Sequence, residues 1–167
     1  MAVNSDDFRR ALRKFASGVT IVTVASGDEV HGATASSFAS VSLDPPLILV
    51  CLDKTSHTRE LLLETASFAV NVLSAEQTEV ARAFSVRGVK PFDGLSHRSG
   101  IGGAPLLDDA IAWIECRVER VIEAGDHDVV IGDVVSCETT ERLPLVYYEA
   151  EYRGVTDLPG PRRDPRA

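Results

Sequence analysis

The sequence lacks the short motifs that identify many catalytic and metal-binding sites. It contains no glycine-rich phosphate loop, no closely spaced pair of cysteines and no nucleophile flanked as in a hydrolase elbow. None of the histidines pair at the i, i+4 spacing that binds metal from one helix face; they are His31, His57, His97 and His127. We therefore expect no metal site, and no local pattern favours a Ser-His-Asp arrangement over surface histidines.

Positive charge and long apolar runs are also scarce. The chain has 17 lysines and arginines against 25 aspartates and glutamates, which gives a formal net charge of -8. Such a chain has no general attraction for polyanions, so nucleic acid is not an expected partner. No apolar run approaches the ~20 residues of a membrane helix, and the first residues do not resemble a secretion signal. We expect no membrane partner and a cytoplasmic location.

Cysteine is also scarce in the sequence. The three cysteines, Cys51, Cys116 and Cys137, are odd in number and widely spaced. This favours neither a disulfide framework nor a metal-ligand pair. We expect all three to be small buried residues in strands.

Length and composition fit one domain with a sizeable core. A chain of 167 residues that is 44% hydrophobic and 25% charged has an ordinary globular composition. A chain of this length buries roughly 70% of the surface that its unfolded form exposes. We assign residues 1–155 to one domain. Residues 156–167, which include three prolines and three arginines, are predicted to be a disordered tail.

Hydrophobic periodicity predicts more strands than helices. Alternating or β-branched apolar residues predict strands at 19–25, 30–35, 47–52, 68–73, 111–123, 129–138, 145–148 and 152–155. The first helix is amphipathic, with an apolar face formed by Phe8, Ala11, Leu12 and Phe15. Further helices are predicted over about 58–65 and after Ser74, where Ser74 and Gln77 have capping-box spacing.

These elements predict a mainly β fold with flanking helices. Hairpins dominate, so we expect a closed antiparallel barrel with the helices packed outside it, because closure removes exposed sheet edges. The glycine-containing segment 87–103 is too irregular for a core element. We predict that it is a surface excursion beside the functional site.

The most informative segment runs from Thr34 to Pro46. It combines small hydroxyl residues with a double proline and leads into an apolar strand. Small residues let the backbone approach a flat ligand, while hydroxyl and N–H groups supply neutral hydrogen-bond donors. A planar cofactor with polar edges would fit this pattern, but so would a serine-rich loop that only joins two strands.

A second segment, 51–58, runs from the end of a buried strand into the start of a helix. Backbone N–H groups, a lysine and three hydroxyls converge there, which is typical of a phosphate site. The alternative is a helix N-cap built from Ser56 or Thr58, with no ligand. Arg82 on the following helix is either a surface charge or a further contact to the same phosphate.

A third segment, Gly125-Asp126-His127, is a turn between two long strands. The glycine and aspartate are explained by the turn, whereas the histidine is not. His127 at a barrel rim could contact a nicotinamide, or it could be an exposed loop residue. Nearby tyrosines offer either stacking surface or core packing; they are Tyr147, Tyr148 and Tyr152.

Taken in order, these segments resemble the short-chain flavin reductases, the reductase components of two-component flavin-dependent monooxygenases. The resemblance spans about residues 5–155, and its landmarks are 15–20, 31–38, 40–46, 68–73, 103–106, 125–127 and 131–132. The fold that it implies is the FMN-binding split barrel. Two residues depart from the family's pattern: Ser36 stands where many relatives carry Asn, and Asp128 where many carry Thr.

The resemblance implies a set of binding residues. The isoalloxazine ring is expected against Thr34, Ala35, Ser36, Ser37 and Ser42, with Cys51, Leu52, Asp53 and Lys54 passing alongside. The phosphate is expected at Ser56, Thr58 and Arg82, and Phe84 is included among the flavin-binding residues. His127 and Tyr152 are expected to meet the nicotinamide, with His127 as the catalytic residue.

The activity implied is hydride transfer from NADH or NADPH to FMN or FAD, followed by delivery of reduced flavin to a partner monooxygenase. The family also implies a homodimer. Hydride transfer between stacked rings requires little acid-base chemistry from the protein, which supplies mainly geometry. Alternatives of the same fold are a non-catalytic flavin-binding electron carrier, a pyridoxamine-phosphate oxidase and a haem-degrading protein.

Overall fold

The computed structural model describes residues 3–88, 90 and 92–156, so the predicted tail lies outside the described residues except for Thr156. The α-helices are Ser5–Leu12 (α1), His57–Thr65 (α2) and Thr78–Ser85 (α3). The strands are Ser17–Gly18 (β1), Thr20–Ser26 (β2), Glu29–Ala35 (β3), Phe38–Leu43 (β4), Pro46–Asp53 (β5), Ser67–Val72 (β6), His97–Ser99 (β7), Pro105–Leu107 (β8), Ala112–Ala124 (β9), His127–Thr139 (β10), Val146–Tyr148 (β11) and Glu151–Arg153 (β12). A short 3₁₀ turn, Ile101–Gly103, precedes β8.

The main sheet has seven strands in the order β3-β2-β6-β9-β10-β5-β4, and every neighbouring pair is antiparallel. Tight turns make its two long hairpins. Gly27, between β2 and β3, has φ 58°, and Gly125, between β9 and β10, has φ 65°. Such left-handed conformations favour glycine because it has no Cβ. The predicted mainly β fold with flanking helices is therefore confirmed.

The sheet is rolled but not closed, which corrects the expected closed barrel. Val24 of β2, Ala35 of β3 and Val50 of β5 belong to one buried cluster, so opposite parts of the sheet face each other across a shared core. Within the described residues, β3 and β4 remain the two edges of the hydrogen-bonded order. β3 pairs with β2 and β4 pairs with β5, and no ladder joins β3 to β4 among the described residues. Ser37, between them, extends the β4–β5 pairing, because its carbonyl and hydroxyl oxygens both accept from the Cys51 N–H, at 3.3 and 3.2 Å.

Some elements differ from the sequence-based prediction. Strand β4 forms where a loop rich in hydroxyl residues was expected, and β7 forms within the predicted excursion 87–103. That segment also reaches the core, because Phe92 is buried with its ring 5.0 Å from that of Phe84. Helix α3 begins at Thr78, and the predicted capping pair lies in the turn before it, where Gln77 Oε1 accepts from the Ser74 N–H at 3.0 Å.

Helix α1 is amphipathic, as predicted, but its apolar side is uncovered. Phe8 and Leu12 are 57% and 56% exposed, and Phe15, which follows the helix, is 77% exposed.

The cysteines also differ from expectation. Only Cys116 is buried, while Cys51 is partly buried and Cys137 is exposed.

A buried asparagine attaches β8, the strand that follows the excursion, to the main sheet. The side-chain amide of Asn71 in β6 donates to the carbonyl oxygens of Ile21 and Pro105, at 3.2 and 3.3 Å. Its Oδ1 accepts from the Leu107 N–H at 2.7 Å. A fully buried amide must be hydrogen-bonded to avoid a desolvation penalty, so these contacts fix β8 against β6.

Gly132 of β10 provides a test of this packing. A Cβ there would lie 2.6 Å from Phe68 Cζ and 3.0 Å from Cys116 Cβ. We expect Gly132→Ala to destabilise the protein by about 1–3 kcal/mol, because the buried ring must move. Urea denaturation measures this change, and Gly18→Ala is the matched control because a Cβ at Gly18 meets nothing within 4 Å. Equal free energies of unfolding for the two variants would contradict the expected clash.

Candidate functional site

Two adjoining clefts lie around β3 and α3. The first, of about 550 Å³, is lined by Glu29, Val30, His31, Ala33, Thr34, Asp53, Thr55, Ser56, His57, Thr58, Phe84, Ser85, Val86, Arg87, Gly88 and Lys90. The second, of about 360 Å³, is lined by Val19, Thr34, Ser36, Arg82, Ser85, Tyr147, Ala150 and Tyr152. Thr34 and Ser85 line both clefts, so the two clefts lie side by side.

The N-terminal turn of α2 forms one wall of the first cleft. Ser56 is the N-cap residue, yet its side chain makes no capping hydrogen bond, so the alternative role of a side-chain cap does not apply to it. The N–H groups just before the helix are occupied: that of Lys54 donates to the Asp126 carbonyl at 3.0 Å and that of Ser56 to the Asp53 carbonyl at 2.9 Å. The free N–H groups are those of the first helical turn.

Thr58 is fully buried at the floor of this cleft. Its hydroxyl lies 2.8 Å from His31 Nδ1, while His31 Nε2 lies 3.3 Å from the Gly88 carbonyl. Burial lowers the pKa of His31, so its ring is neutral at pH 7. The hydroxyl predicted to bind phosphate is thus already hydrogen-bonded to a histidine that sequence reasoning had not placed in the site.

The cations of the first cleft are not the one that was predicted. Arg87 and Lys90 line it, whereas Arg82 lines the second cleft. Lys90 Nζ donates to the Phe84 carbonyl at 3.1 Å, near the end of α3, and burial lowers its pKa. Arg87 Nη2 lies 3.1 Å from Asp53 Oδ2. These two cations could have been identified from the sequence as basic residues in the glycine-containing segment 87–103.

The second cleft has aromatic and cationic walls. The rings of Tyr147 and Tyr152 lie 5.4 Å apart, and the Arg82 guanidinium lies 5.9 Å from the centre of the Tyr152 ring. Burial raises the pKa of Tyr152, so its phenol stays protonated at neutral pH. Ser36, one of the two departures from the family pattern, lines this cleft as well.

The segment from Thr34 to Ser37 is held by hydrogen bonds on both sides. The Thr34 hydroxyl donates to the Ala81 carbonyl of α3 at 2.7 Å, and the Ser37 hydroxyl donates to the Cys51 carbonyl of β5 at 2.9 Å. The segment is thereby fixed between a helix and a strand. The hydroxyls of Thr34 and Ser37 therefore serve the fold, whereas the Ser36 hydroxyl makes no hydrogen bond among the described residues and lines the second cleft.

The structure brings together part of the predicted set. Residues of that set that line the clefts are Thr34, Ser36, Asp53, Ser56, Thr58, Arg82, Phe84 and Tyr152. Among the described residues, the predicted positions that line neither cleft are Ala35, Ser37, Ser42, Cys51, Leu52, Lys54 and His127. Ala35 and Leu52 are buried in the core.

His127 lies next to the first cleft. It is the first residue of β10 and pairs in register with Asp53, the last residue of β5, which lines the cleft. Its Nδ1 lies 2.8 Å from Asp126 Oδ1, and the side chain is partly exposed. That hydrogen bond lowers the pKa of Asp126. The geometry therefore places an oriented imidazole beside the end of the cleft where 53–56 begins.

The described residues contain neither a cluster of metal ligands nor a long apolar helix. No group of three or more histidine, cysteine, aspartate or glutamate side chains is arranged to hold a metal ion in the part of the chain described. None of the helices within residues 3–88, 90 and 92–156 combines the length and apolarity of a transmembrane span.

Comparison with known proteins shows the family. A family model described as a flavin reductase like domain matches residues 12–156. The reductase subunit HsaB of a flavin-dependent monooxygenase from Rhodococcus jostii is 36% identical over 98% of this chain and 86% of its own. A "Probable flavin reductase" from Rhizobium meliloti is 43% identical over 86% of this chain, which spans only 47% of that relative's length.

A solved structure gives the same result. The NADH:FAD oxidoreductase SgcE6 of Streptomyces globisporus, in complex with NAD and FAD fragments, matches with a TM-score of 0.85 and 37% identity, over 100% of this chain and 99% of its own. The chain belongs to the flavin reductase-like family, as the sequence resemblance had predicted.

His57 allows a pH test of the cleft. Its Nδ1 lies 3.0 Å from Glu60 and its Nε2 2.6 Å from Glu29, and these two hydrogen bonds raise its pKa above 6.5. A raised pKa means that the contribution to stability is present below pH 6.5 and is lost as the pH rises through the folded-state value.

We expect His57→Gln to destabilise the ligand-free protein at pH 6 and to be nearly neutral at pH 9. The difference should not exceed about 1 kcal/mol, because the pair is solvent-screened. Urea denaturation at both pH values measures it. His97→Gln is the control, since His97 Nδ1 lies 2.8 Å from the Leu95 carbonyl and its ring lies against Phe92, with no carboxylate paired to it among the described residues. The same pH dependence in both variants would contradict the assignment.

Proposed function

We propose that this protein transfers hydride from a reduced nicotinamide nucleotide to a flavin and releases the reduced flavin to a separate monooxygenase. As a member of its family the chain is an oxidoreductase that acts on flavin with a nicotinamide nucleotide. The observation that supports the proposal most is the first cleft, in which a helix N-terminus and two cations lie beside the strand end that carries His127.

The donors of the first cleft fit the phosphate end of a flavin. The Ser56 hydroxyl is not used as a cap, the first-turn N–H groups of α2 are free, and Arg87 and Lys90 supply positive charge. Charge-assisted hydrogen bonds to phosphate are the stronger kind, each worth about 1.5–3 kcal/mol. We assign the phosphate to Ser56, Arg87 and Lys90, with Thr58 acting through its contact to His31 rather than directly.

The ring is assigned to the segment between the two clefts. Thr34 lines both, and its hydroxyl is fixed to α3 and that of Ser37 to β5, so the backbone from 34 to 37 is rigid. A rigid backbone with free N–H groups orients a flat ring without reorganisation. Ala35, Ser42, Cys51, Leu52 and Lys54 remain predicted contacts of the ring or its edge.

When bound, the flavin supplies the atom that accepts the hydride. The chain's residues hold the reacting partner in place. His127 is assigned to the carboxamide end of the nicotinamide, with its Nδ1 fixed by Asp126 so that Nε2 points away from that contact. Tyr152 and Arg82, in the second cleft, are assigned to the remainder of the visiting nucleotide or of the flavin.

An open site with solvent-exposed charged side chains favours release of the product. The side chains of Arg87 and Asp53 at the cleft mouth are exposed to solvent, so a bound phosphate stays in exchange with water. Relatives that are reductases by name, including a reductase subunit of a monooxygenase, favour this function over a non-catalytic electron carrier. FAD or FMN, NADH or NADPH, and a cytoplasmic location remain predictions.

The role of His127 can be tested by kinetics. We expect His127→Ala to slow flavin reduction by NADH about tenfold or more, because the nicotinamide loses an orienting contact. Flavin affinity should change less than about threefold, since His127 lines neither cleft. Stopped-flow absorbance and flavin titration measure the two quantities, with His97→Ala as the control. Equal losses of rate and affinity would contradict the role.

We also propose a homodimer whose interface includes the apolar side of α1. Phe8 and Leu12 are more than half exposed, and Leu43 on edge strand β4 is 94% exposed. Apolar area of this kind is normally covered, and a second copy is the occupant that the family resemblance implies.

Leu12→Glu tests the interface. We expect it to shift the mass in solution from dimer to monomer, because a charge replaces an apolar contact. Light scattering after size-exclusion chromatography measures the mass. Arg10→Glu, on the polar side of the same helix, is the matched control and should leave the mass unchanged. A monomeric wild-type protein, or a dimer that survives Leu12→Glu, would remove α1 from the interface.

A further inference from the structure

The carboxylate of Asp53 occupies the first cleft as an anionic ligand would. Its Oδ1 accepts from the Thr55 N–H and from the Thr55 hydroxyl, both at 2.7 Å. Its Oδ2 accepts from the Arg87 guanidinium at 3.1 Å. A backbone N–H before a helix, a hydroxyl and a guanidinium are the three kinds of donor that a phosphate site uses.

The Asp53 carboxylate carries a negative charge at neutral pH. The hydrogen bonds from the Thr55 side chain and backbone lower its pKa below 3.8, and Arg87 and His127 lower it further. A full negative charge therefore lies on the wall of the cleft at neutral pH. That charge repels an incoming phosphate and also keeps Arg87 engaged.

Arg87 is the more exposed member of this pair. Its side chain is 82% exposed, and it contacts the cleft through Asp53. An exposed ion pair of this kind is weak, so its partner can be exchanged. A phosphate, with more charge and more oxygens than a carboxylate, is the stronger partner for a guanidinium.

We propose that Asp53 is an internal competitor for the flavin phosphate, which must take Arg87 from it, and that this competition lowers flavin affinity and speeds flavin exchange. The proposal rests on the proposed function, specifically on a phosphate bound in the first cleft. Asp53 is then a specificity-determining residue that acts by weakening flavin binding. A reductase that hands its product to another protein benefits from such a residue, because tightly held flavin would not leave.

The test compares FMN with riboflavin, which has the same ring and no phosphate. Asp53→Asn keeps an oxygen for the Thr55 donors and removes the charge. We expect FMN to bind this variant about fivefold more tightly than the wild type, as for one unit charge removed at about 4 Å across a solvent-filled gap with the dielectric constant of water. FMN should also dissociate more slowly, and riboflavin affinity should be unchanged. Fluorescence titration and stopped-flow displacement measure these quantities.

Three further single variants and one double variant complete the experiment. Arg87→Gln should weaken FMN binding and leave riboflavin binding unchanged, and in the double variant with Asp53→Asn the gain should shrink, because Asp53 acts partly through Arg87. Glu119→Gln removes a carboxylate outside the cleft, and FMN affinity should not change. Asp53→Ser provides a second neutral variant if Asp53→Asn does not fold.

The outcomes distinguish a wrong phosphate assignment from a wrong competitor proposal. If FMN binds no more tightly than riboflavin in both the wild type and Asp53→Asn, the phosphate assignment of the proposed function is wrong. If FMN is preferred but neutral variants at Asp53 bind it no more tightly than the wild type, the competitor proposal is overturned. Weaker FMN binding in those variants would make Asp53 a binding residue instead.

Discussion

The pairing of β5 with β10 is the constraint on which the site depends. Seven residue pairs hold the two strands in register, from Asp53 opposite His127 to Leu47 opposite Asp133. Because register has a period of two, a slip by one residue would turn His127 to the other face of the sheet. The Lys54 N–H, which donates to the Asp126 carbonyl at 3.0 Å, extends this pairing into the turn. The loop 53–56 and His127 are therefore held in a fixed relation to each other.

A buried ion pair adds to this constraint. Asp128, fully buried in β10, accepts from Arg59 of α2 through one oxygen, with Arg59 Nε at 2.7 Å. The other oxygen has no hydrogen-bond partner among the described residues, and the ammonium of Lys54 lies 4.0 Å from it. Such a pair is costly to desolvate and costly to break, so it fixes α2 against β10 more than it adds net stability. Asp128 is one of the two departures that the family resemblance indicated, and Arg59 is the partner that makes a charge tolerable there.

Much of the fold could be predicted from local pattern, and the failures share one cause. β-branched residues predict strands β2, β3, β5 and β6, and the bounds of α2 differ from the predicted bounds by one residue. Strand β4 did not, because serine and alanine at an edge carry no periodic signal. Closure of the barrel was predicted from the general cost of edges, whereas in the structure β4 pairs with β5 and no ladder joins it to β3 among the described residues. Local propensity does not record which distant strand supplies a partner.

The sequence by itself determined the kinds of donor available, the turn that carries His127 and the family to which the chain belongs, because each is a property of contiguous residues. Only the tertiary structure decided which cation serves which cleft. Arg82 and Arg87 are five residues apart, yet the first lies against Tyr152 and the second against Asp53, since the helix that carries Arg82 ends between them. A charge that acts across a cleft depends on distances between segments, and those distances exist only after the sheet has rolled.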